Sequence, residues 1–424
     1  MAVAMTQVEV PDYDLGIRGK LVRAEKTVDP TGLAFCTIVY GLSLADEVTD
    51  TPYSNAANGY PDALLTPDES TRVELGWRPG TDAVIADLVA ADGTPVEMSP
   101  RHCLRALVER YAERGLEPVL GFEFEFWVFQ DGPDEDGTRR PLGSTENAYS
   151  LTRMAQMQLL AVEFIDRMHS IGIEIEMFHT ELGPGFFEFT MAPAPACRAA
   201  DAAVRARQYL RELCAERGLH ASFMAKPFGD KSGAGGHVHS SLNRDGVNIF
   251  STGPGLLSTE ASHYLAGLLA GMADTTVLFN PYVNSYKRID PQMFTPTAAT
   301  YGYDDRAAAC RLILNDAKSA RVEHRRPGAD TSPYLTAAAL LAAGLHGLEG
   351  NLSLPAEGEE PAPLPGDLPA ALDTFQSSVW LPDLVGKAFC ASFAATRRAE
   401  AERYAHWLRT TITSWELTRH LEHQ

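Results

Sequence analysis

At 424 residues the chain exceeds the usual size of one domain and can bury a large core, so two domains are expected. It is 45% hydrophobic and 22% charged, as soluble globular proteins are, with a formal charge of −20. That charge excludes the basic footprint a nucleic-acid or anionic-membrane partner requires, but not an anionic substrate held by clustered arginines. The six cysteines lie far apart, with no C-x-x-C pair or zinc spacing, which fits free thiols in a reducing compartment. The first residues lack a basic-then-apolar leader pattern, and the longest apolar stretch, 337–348, is too short to span a bilayer. The expected location is the cytoplasm.

Residues 18–97 mix short β-rich runs, at 35–40 and 83–88, with turn signals such as Asp92-Gly93. Ser99-Pro100 reads as an N-cap and first helical residue. Leu104, Leu107, Val108 and Tyr111 follow at helical spacing, and Gly115 sits where a C-terminal cap belongs. The domain boundary therefore falls near residue 98, dividing the chain into 1–98 and 99–424. From 119 onward, strands alternate with long helices: an acidic strand, a helix over 151–170, a second acidic strand over 173–178, and a helix over 201–217. A glycine-rich loop at 229–236 leads into a strand carrying His237 and His239, and 353–368 reads as a surface loop. The fold class is α+β, with a small β-rich N-terminal domain and a large catalytic domain.

Four groups of residues carry chemistry. In Gly121-Phe122-Glu123-Phe124-Glu125-Phe126-Trp127, strand alternation puts both carboxylates on one face, roughly 7 Å apart, and the phenylalanines on the other. Two anions backed by an apolar face are hard to desolvate without cations, which points to metal ligands; a solvated acidic face is the alternative. In His179-Thr180-Glu181-Leu182-Gly183-Pro184-Gly185-Phe186-Phe187-Glu188, the Gly-Pro-Gly turn lets Glu181 and Glu188 converge, or leaves a hairpin with solvated carboxylates. The third group is Lys226-Pro227 followed by Gly233-Ala234-Gly235-Gly236-His237-Val238-His239-Ser240-Ser241, with both imidazoles on one strand face behind glycines that admit a ligand. The fourth aligns Arg321, Glu323 and Arg325, with Asn284-Ser285-Tyr286-Lys287-Arg288, Arg306, Arg311 and Lys318 upstream. Arginines suit bidentate anion recognition, so their clustering among metal-type carboxylates points to a polyanion site; surface salt bridges are the alternative.

Together, G-x-E-x-E-F, E…G-P-G…E, K-P…G-x-G-x-H-x-H-x-S, N-S-Y-K-R and R-x-E-x-R resemble the glutamine synthetase family in order and approximate spacing. The resemblance extends from Ile17-Arg18-Gly19-Lys20, through 61–68, to Ser414-Trp415-Glu416. It implies a β-grasp-like N-terminal domain and a catalytic domain with a curved antiparallel sheet and flanking helices. It also implies a homo-oligomeric ring, commonly a dodecamer, whose active sites are shared between subunits. ATP and two or three divalent cations per site, magnesium or manganese, are implied as well. Carried over residue by residue, Glu125, Glu181 and Glu188 bind one cation, and Glu123, His237 and Glu323 the second. His239 and Ser241 face the nucleotide, with Phe223 and Lys318 nearby, while Arg306, Arg311 and Arg321 hold the transferring phosphoryl group. Arg288 and Arg325 receive the carboxylates of glutamate, aided by the backbone at Gly233. Arg306, Arg288 and Glu188 are the implied catalytic residues.

One departure bears on the acceptor. Ammonia-using members of that family carry V-P-G-Y-E-A-P after the Lys-Arg pair; here the segment is Asp290-Pro291-Gln292-Met293-Phe294-Thr295-Pro296, with Phe294 at the glutamate's position. A phenyl ring accepts no proton, so the resemblance implies ATP-dependent γ-glutamylation of an organic amine rather than of ammonia. Phe186 for a usual glutamine and Ser232 for a usual asparagine point the same way. Met293 and Phe294 suggest an apolar pocket that favours an alkyl or aryl monoamine. The alternatives are an ammonia-dependent glutamine synthetase, a γ-glutamylpolyamine synthetase, and a non-catalytic homologue in nitrogen regulation; the intact metal-type ligands argue against the last. An N-terminal aspartate reaching a neighbouring acceptor site is also implied, with Asp46 and Asp50 both open.

Overall fold

The computed structural model describes residues 3–14, 16–29, 32–130, 132, 139–356 and 358–421. Its N-terminal sheet contains β1 (Met5–Pro11), β2 (Ile17–Arg23), β3 (Leu33–Cys36), β4 (Asp62–Pro67), β5 (Val73–Glu74) and β6 (Thr81–Val89). The order is β2-β1-β6-β4-β3, with β5 on β6, and β1 and β6 run parallel at the centre. Only the first two residues of the β-rich run at 35–40 are strand, because Thr37–Gly41 forms a 3₁₀ turn. Thr37 Oγ1 donates to the Pro61 carbonyl at 2.8 Å while Val39 and Tyr40 enter the core, so tertiary packing overrides β propensity here.

Helix α1 (Pro100–Ala112) begins as its sequence predicts, with Ser99 Oγ accepting from the His102 N–H and Pro100 at the first position. A larger sheet follows, built from β7 (Glu117–Gln130), β8 (Ile175–Thr180), β9 (Phe186–Met191), β10 (Ala194–Pro195), β11 (Leu219–Ser222), β12 (Val238–Arg244) and β13 (Val247–Asn248). A hairpin of β14 (Ser251–Gly253) and β15 (Leu256–Leu257) stands apart, and β16 (Tyr301–Tyr303), β17 (Cys310–Ile313) and β18 (Arg321–His324) complete the large sheet. Its main path runs β16-β17-β18-β12-β7-β9-β8, antiparallel except between β16 and β17.

Register explains why residues far apart in sequence meet. Glu125 pairs with Glu188, and Glu188 with His179, across β7-β9-β8. His239 pairs with Glu323, and Glu323 with Arg311, across β12-β18-β17. One face of the sheet thus collects the charged side chains.

The other face is apolar. Phe122, Phe124 and Phe126 are at most 1% exposed and pack into an aromatic layer with Phe164, Phe189 and Phe223. Helices α2 (Leu151–Ser170) and α3 (Ala196–Glu216) cover that face. The second acidic strand lies two residues later than the sequence suggests, at Ile175–Thr180, and α3 starts earlier, because Pro195 and the alanines after it initiate the helix. The remaining helices are α4 (Thr259–Ala270), α5 (Met272–Phe279), α6 (Pro333–Gly350), α7 (Leu368–Ser377), α8 (Leu381–Val385), α9 (Lys387–Thr410) and α10 (Ser414–His420). Helix α6 is buried almost all round, which its apolar sequence requires. Among the described residues no helix is long and apolar enough to cross a membrane.

Candidate active site

The charged face of the large sheet lines a cleft of about 680 Å³, adjoined by a second hollow of about 680 Å³; Glu123, Met177, His239 and Arg321 border both. The first compartment holds Glu125, Glu181, Glu188, Phe186, Gly233, His237, Arg288, Phe294, Arg306, Arg311, Glu323 and Arg325. The second holds Ser241 and Lys318. Nearly every residue singled out from sequence therefore borders one connected space.

Gly183-Pro184-Gly185 makes the turn between β8 and β9. Gly185 has φ +71, and a Cβ there would lie 2.6 Å from backbone atoms of Val128 and Leu142, so only glycine fits. The turn brings Glu181 and Glu188 around His179, whose Nε2 is 3.2 Å from Glu188 and whose Nδ1 is 3.4 Å from Glu181. His179, Glu181 and Glu188 offer ligand atoms within 4.8 Å of one another. Glu125 lies alongside, accepting from the Gly235 N–H at 2.7 Å. His179 is the functional candidate that sequence reading left without a role. Its signal is the His-x-Glu spacing before Glu181, the same alternation as in Glu123-x-Glu125.

Glu123, His239 and Glu323 form a second such cluster. His239 Nε2 is 2.7 Å from Glu123 Oε1, and Arg321 Nε donates to His239 Nδ1 at 3.0 Å. His237 lies just before β12; its Nδ1 faces Glu123 Oε2 at 3.5 Å and Glu323 Oε1 at 3.6 Å. Arg311 Nη1 donates to Glu323 at 2.9 Å, and Arg325 pairs with the same carboxylate.

The two clusters differ electrostatically. Burial, then the negative charges of Glu125 and Glu188, push Glu181 up to about 7. Glu188 is also raised, chiefly by burial. His179 is raised too: burial opposes its protonation, but Glu188 and Glu181 outweigh that. Around Glu123 the balance reverses. Burial would raise it, yet hydrogen bonds to His237 and His239 hold its carboxyl well below the usual range. Glu323, buried as well, is lowered by His237 and Arg325. One cluster has surplus negative charge; the other is already matched by protein cations.

Arg288 is 4% exposed, and burial lowers its pKa. It reaches the cleft beside Gly233, where a Cβ would lie 2.6 Å from Arg288 Cγ. Met293 and Phe294 are 41% and 57% exposed, with Phe294 in the left-handed region at φ 56. Tyr149, Met177, Leu182 and Phe186 extend this apolar lining. The Tyr149 ring lies 5.0 Å from His179; nothing in the sequence marked it.

Phe223 is not in the cleft. It is 2% exposed and packs between Phe124, Phe126 and the Arg207 guanidinium on the apolar face of the sheet. It follows directly on β11, which pairs with β7, and its ring lies away from the charged face. Asp46 and Asp50 border neither compartment: Asp46 pairs with Arg18 at 2.7 Å, and Asp50 accepts from Tyr60 Oη at 2.7 Å.

A family model described as the glutamine synthetase catalytic domain matches residues 97–420. The chain belongs to the glutamine synthetase family. It is 31% identical to a glutamate–isopropylamine ligase of Pseudomonas sp, over 97% of this chain and 93% of the relative. It is also 31% identical to a type-1 glutamine synthetase of Dictyostelium discoideum, over 97% of this chain and 82% of the relative. The solved structure of ligand-free GmaS superposes with a TM-score of 0.86 at 27% identity, covering 99% of this chain and 97% of that one. The chain is thus an ATP-dependent ligase of this family, and equal identity to an alkylamine ligase and a glutamine synthetase leaves the amine to the site itself.

Proposed function

We propose that the enzyme joins the γ-carboxylate of L-glutamate to an organic monoamine, through γ-glutamyl phosphate, with ATP as phosphoryl donor. The carrying observation is Phe294: 57% exposed and lining the cleft beside Met293, in the company of Met177, Leu182 and Tyr149. Phe294 itself offers neither a proton acceptor nor a charge partner for ammonium, and with these neighbours it shelters the carbon body of an alkyl or aryl amine.

The donor sets fit divalent cations. Glu125, Glu181 and Glu188 supply hard oxygen ligands whose mutual repulsion a cation relieves, and they suit magnesium. Glu123, Glu323 and His237 would hold a second, with the imidazole admitting manganese. Cations held by these residues would supply positive charge against the transferring phosphoryl group.

The chain's own residues divide the remaining work. Arg306, Arg311 and Arg321 line the cleft, and there they would offset the negative charge of the γ-phosphoryl group in transfer. His239, Ser241 and Lys318 border the second hollow, where the nucleotide would sit. Arg288 and Arg325, with the backbone at Gly233, orient the glutamate carboxylates. The neutral amine nitrogen then attacks the acyl carbon at the Phe294 end, the bond from that carbon to the phosphate oxygen breaks, and the departing phosphate takes up the proton the nitrogen sheds. We take the working form to be a homo-oligomeric ring, with residues 1–98 as its N-terminal domain.

The test is purified enzyme with ATP, magnesium and glutamate, supplied in turn with ammonia, putrescine, isopropylamine and benzylamine, reading the γ-glutamyl product by mass. A monoamine is expected to give the highest kcat/KM. Ammonia or putrescine as the best acceptor overturns the reading.

A further inference from the structure

We propose that Asp330 is a positioning residue for this reaction, fixing through Ser285 the 3₁₀ turn that carries Arg288 into the cleft. The inference rests on the reading of Arg288 as a binder of the glutamate carboxylate. Arg288 makes no ion pair among the described residues. Its Nη1 donates to the Arg326 carbonyl at 3.1 Å and its Nη2 to the Arg325 carbonyl at 3.4 Å, with His237 Nε2 at 3.5 Å. A buried guanidinium bound only by carbonyls and an imidazole retains its charge for a ligand, but it needs another device to hold its backbone in place.

That device lies behind the turn Asn284–Arg288. Ser285 is fully buried; its hydroxyl donates to Asp330 Oδ2 at 2.6 Å and accepts from the Tyr282 N–H at 3.0 Å. Asp330 is 4% exposed, and its Oδ1 has no hydrogen-bond partner. Burying a carboxylate so incompletely paired is costly, and no role in the reaction itself accounts for it, because Asp330 does not border the cleft.

The segment around Asp330 is also locked to the other wall of the carboxylate site. The Ala329 N–H donates to the Ala234 carbonyl at 3.0 Å, and the Gly236 N–H to Pro327 at 3.0 Å, so the loop bearing Asp330 is registered against the glycine loop bearing Gly233. Thr331 adds two anchors: its Oγ1 donates to Leu278 at 2.7 Å and its carbonyl accepts from Arg207. Asp330 thus ties the loop registered against Gly233 to the Arg288 turn from behind, while Asn284 ties the front of the same turn to the Lys226 backbone, donating to its carbonyl at 3.0 Å and accepting from its N–H at 2.9 Å. It sets the distance between two groups that clasp one substrate carboxylate.

The experiment is calorimetric titration of the full-length enzyme with glutamate in the presence of magnesium and a non-hydrolysable ATP analogue, and separately with the analogue. Ser285→Ala and Asp330→Asn are each expected to weaken glutamate by about tenfold while the analogue changes by less than about twofold. The double variant is expected to be no weaker than the worse single one, because the two act as a unit. Unchanged glutamate affinity, or equal weakening of glutamate and analogue, overturns the proposal. If Asp330→Asn does not fold, Ser285→Ala decides alone. Wild-type enzyme that binds no glutamate refutes the substrate reading instead, so the two failures are distinct.

Discussion

Arg321 Nε donates to Nδ1 of His239 at 3.0 Å, and this contact is the ground for expecting His237 rather than His239 to serve a cation. Arginine has only donors, so His239 Nδ1 must accept and its proton must sit on Nε2, pointing at Glu123 Oε1 2.7 Å away. An Nε2–H cannot ligate a metal. His237 presents Nδ1 to both Glu123 and Glu323, and the arginine behind it is farther away, with Arg288 Nη2 at 3.5 Å from Nε2, so that contact holds the proton on Nδ1 less firmly against an incoming cation. His237→Ala should therefore weaken the second manganese by at least about 100-fold, and His239→Ala by less than about fivefold. Manganese titration followed by paramagnetic resonance checks this. Loss of the second ion in His239→Ala would reverse the assignment.

Proton linkage distinguishes the other cluster. Glu181, raised to about 7 by burial and its neighbours, is half-protonated near neutrality, whereas cation binding needs the carboxylate. Magnesium affinity should rise from about pH 6 to about pH 8 and then level off, with proton release measurable by calorimetry in buffers of different ionisation enthalpy. In the metal-free protein the sign is opposite for stability. A carboxyl whose folded pKa is raised contributes stability that is present below its unfolded value and lost as pH rises toward about 7. Glu181→Gln should reduce both effects, leaving the share that Glu188 and His179 contribute; magnesium affinity independent of pH in the wild type would contradict the account.

Much of this was legible in the sequence because the alternation of β7, β9 and β18 is strict. Glu123, Glu125, Glu188, Glu323 and the buried phenylalanines lie on the faces that a period of two assigns them. What was not legible depends on register between distant strands. Glu188 sits opposite Glu125 and His179 only because β9 pairs with both β7 and β8. Phe223 shows the limit from the other side: proximity in a motif could not show that its ring faces α3 rather than the cleft. The same holds at Thr37, where a β-prone run turns because its buried hydroxyl bonds to Ser54 and to the Pro61 carbonyl.

The N-terminal sheet is held to α3 by a buried ion pair. Glu9, fully buried, accepts from Arg205 Nε at 2.8 Å and from Tyr209 Oη at 2.8 Å. Arg205→Met leaves that carboxylate in the interior without its cation and should cost about 3–5 kcal/mol in urea unfolding. Arg398→Ala, which breaks an exposed pair with Asp373, should cost less than about 1 kcal/mol. Similar losses for both would mean that the buried Glu9–Arg205 pair contributes no more than an exposed one.

Phe294 offers the sharpest test of acceptor choice. Its ring is exposed in the cleft, on a left-handed turn whose backbone is braced by the Phe294 N–H to Pro291 and by Asp290 capping Gln292. Phe294→Glu places a carboxylate where the phenyl stood, without altering those backbone bonds. A carboxylate there attracts ammonium and can accept its proton, a contribution of about 10²–10⁴ in rate. Ammonia-dependent glutamine formation should therefore rise by at least about tenfold, while kcat/KM for isopropylamine falls by a similar factor through loss of apolar contact. Product analysis by mass, with both acceptors competing in one vessel, reads the two changes together. If ammonia use stays flat and isopropylamine still falls, Phe294 shapes the pocket but does not choose between the two acceptors.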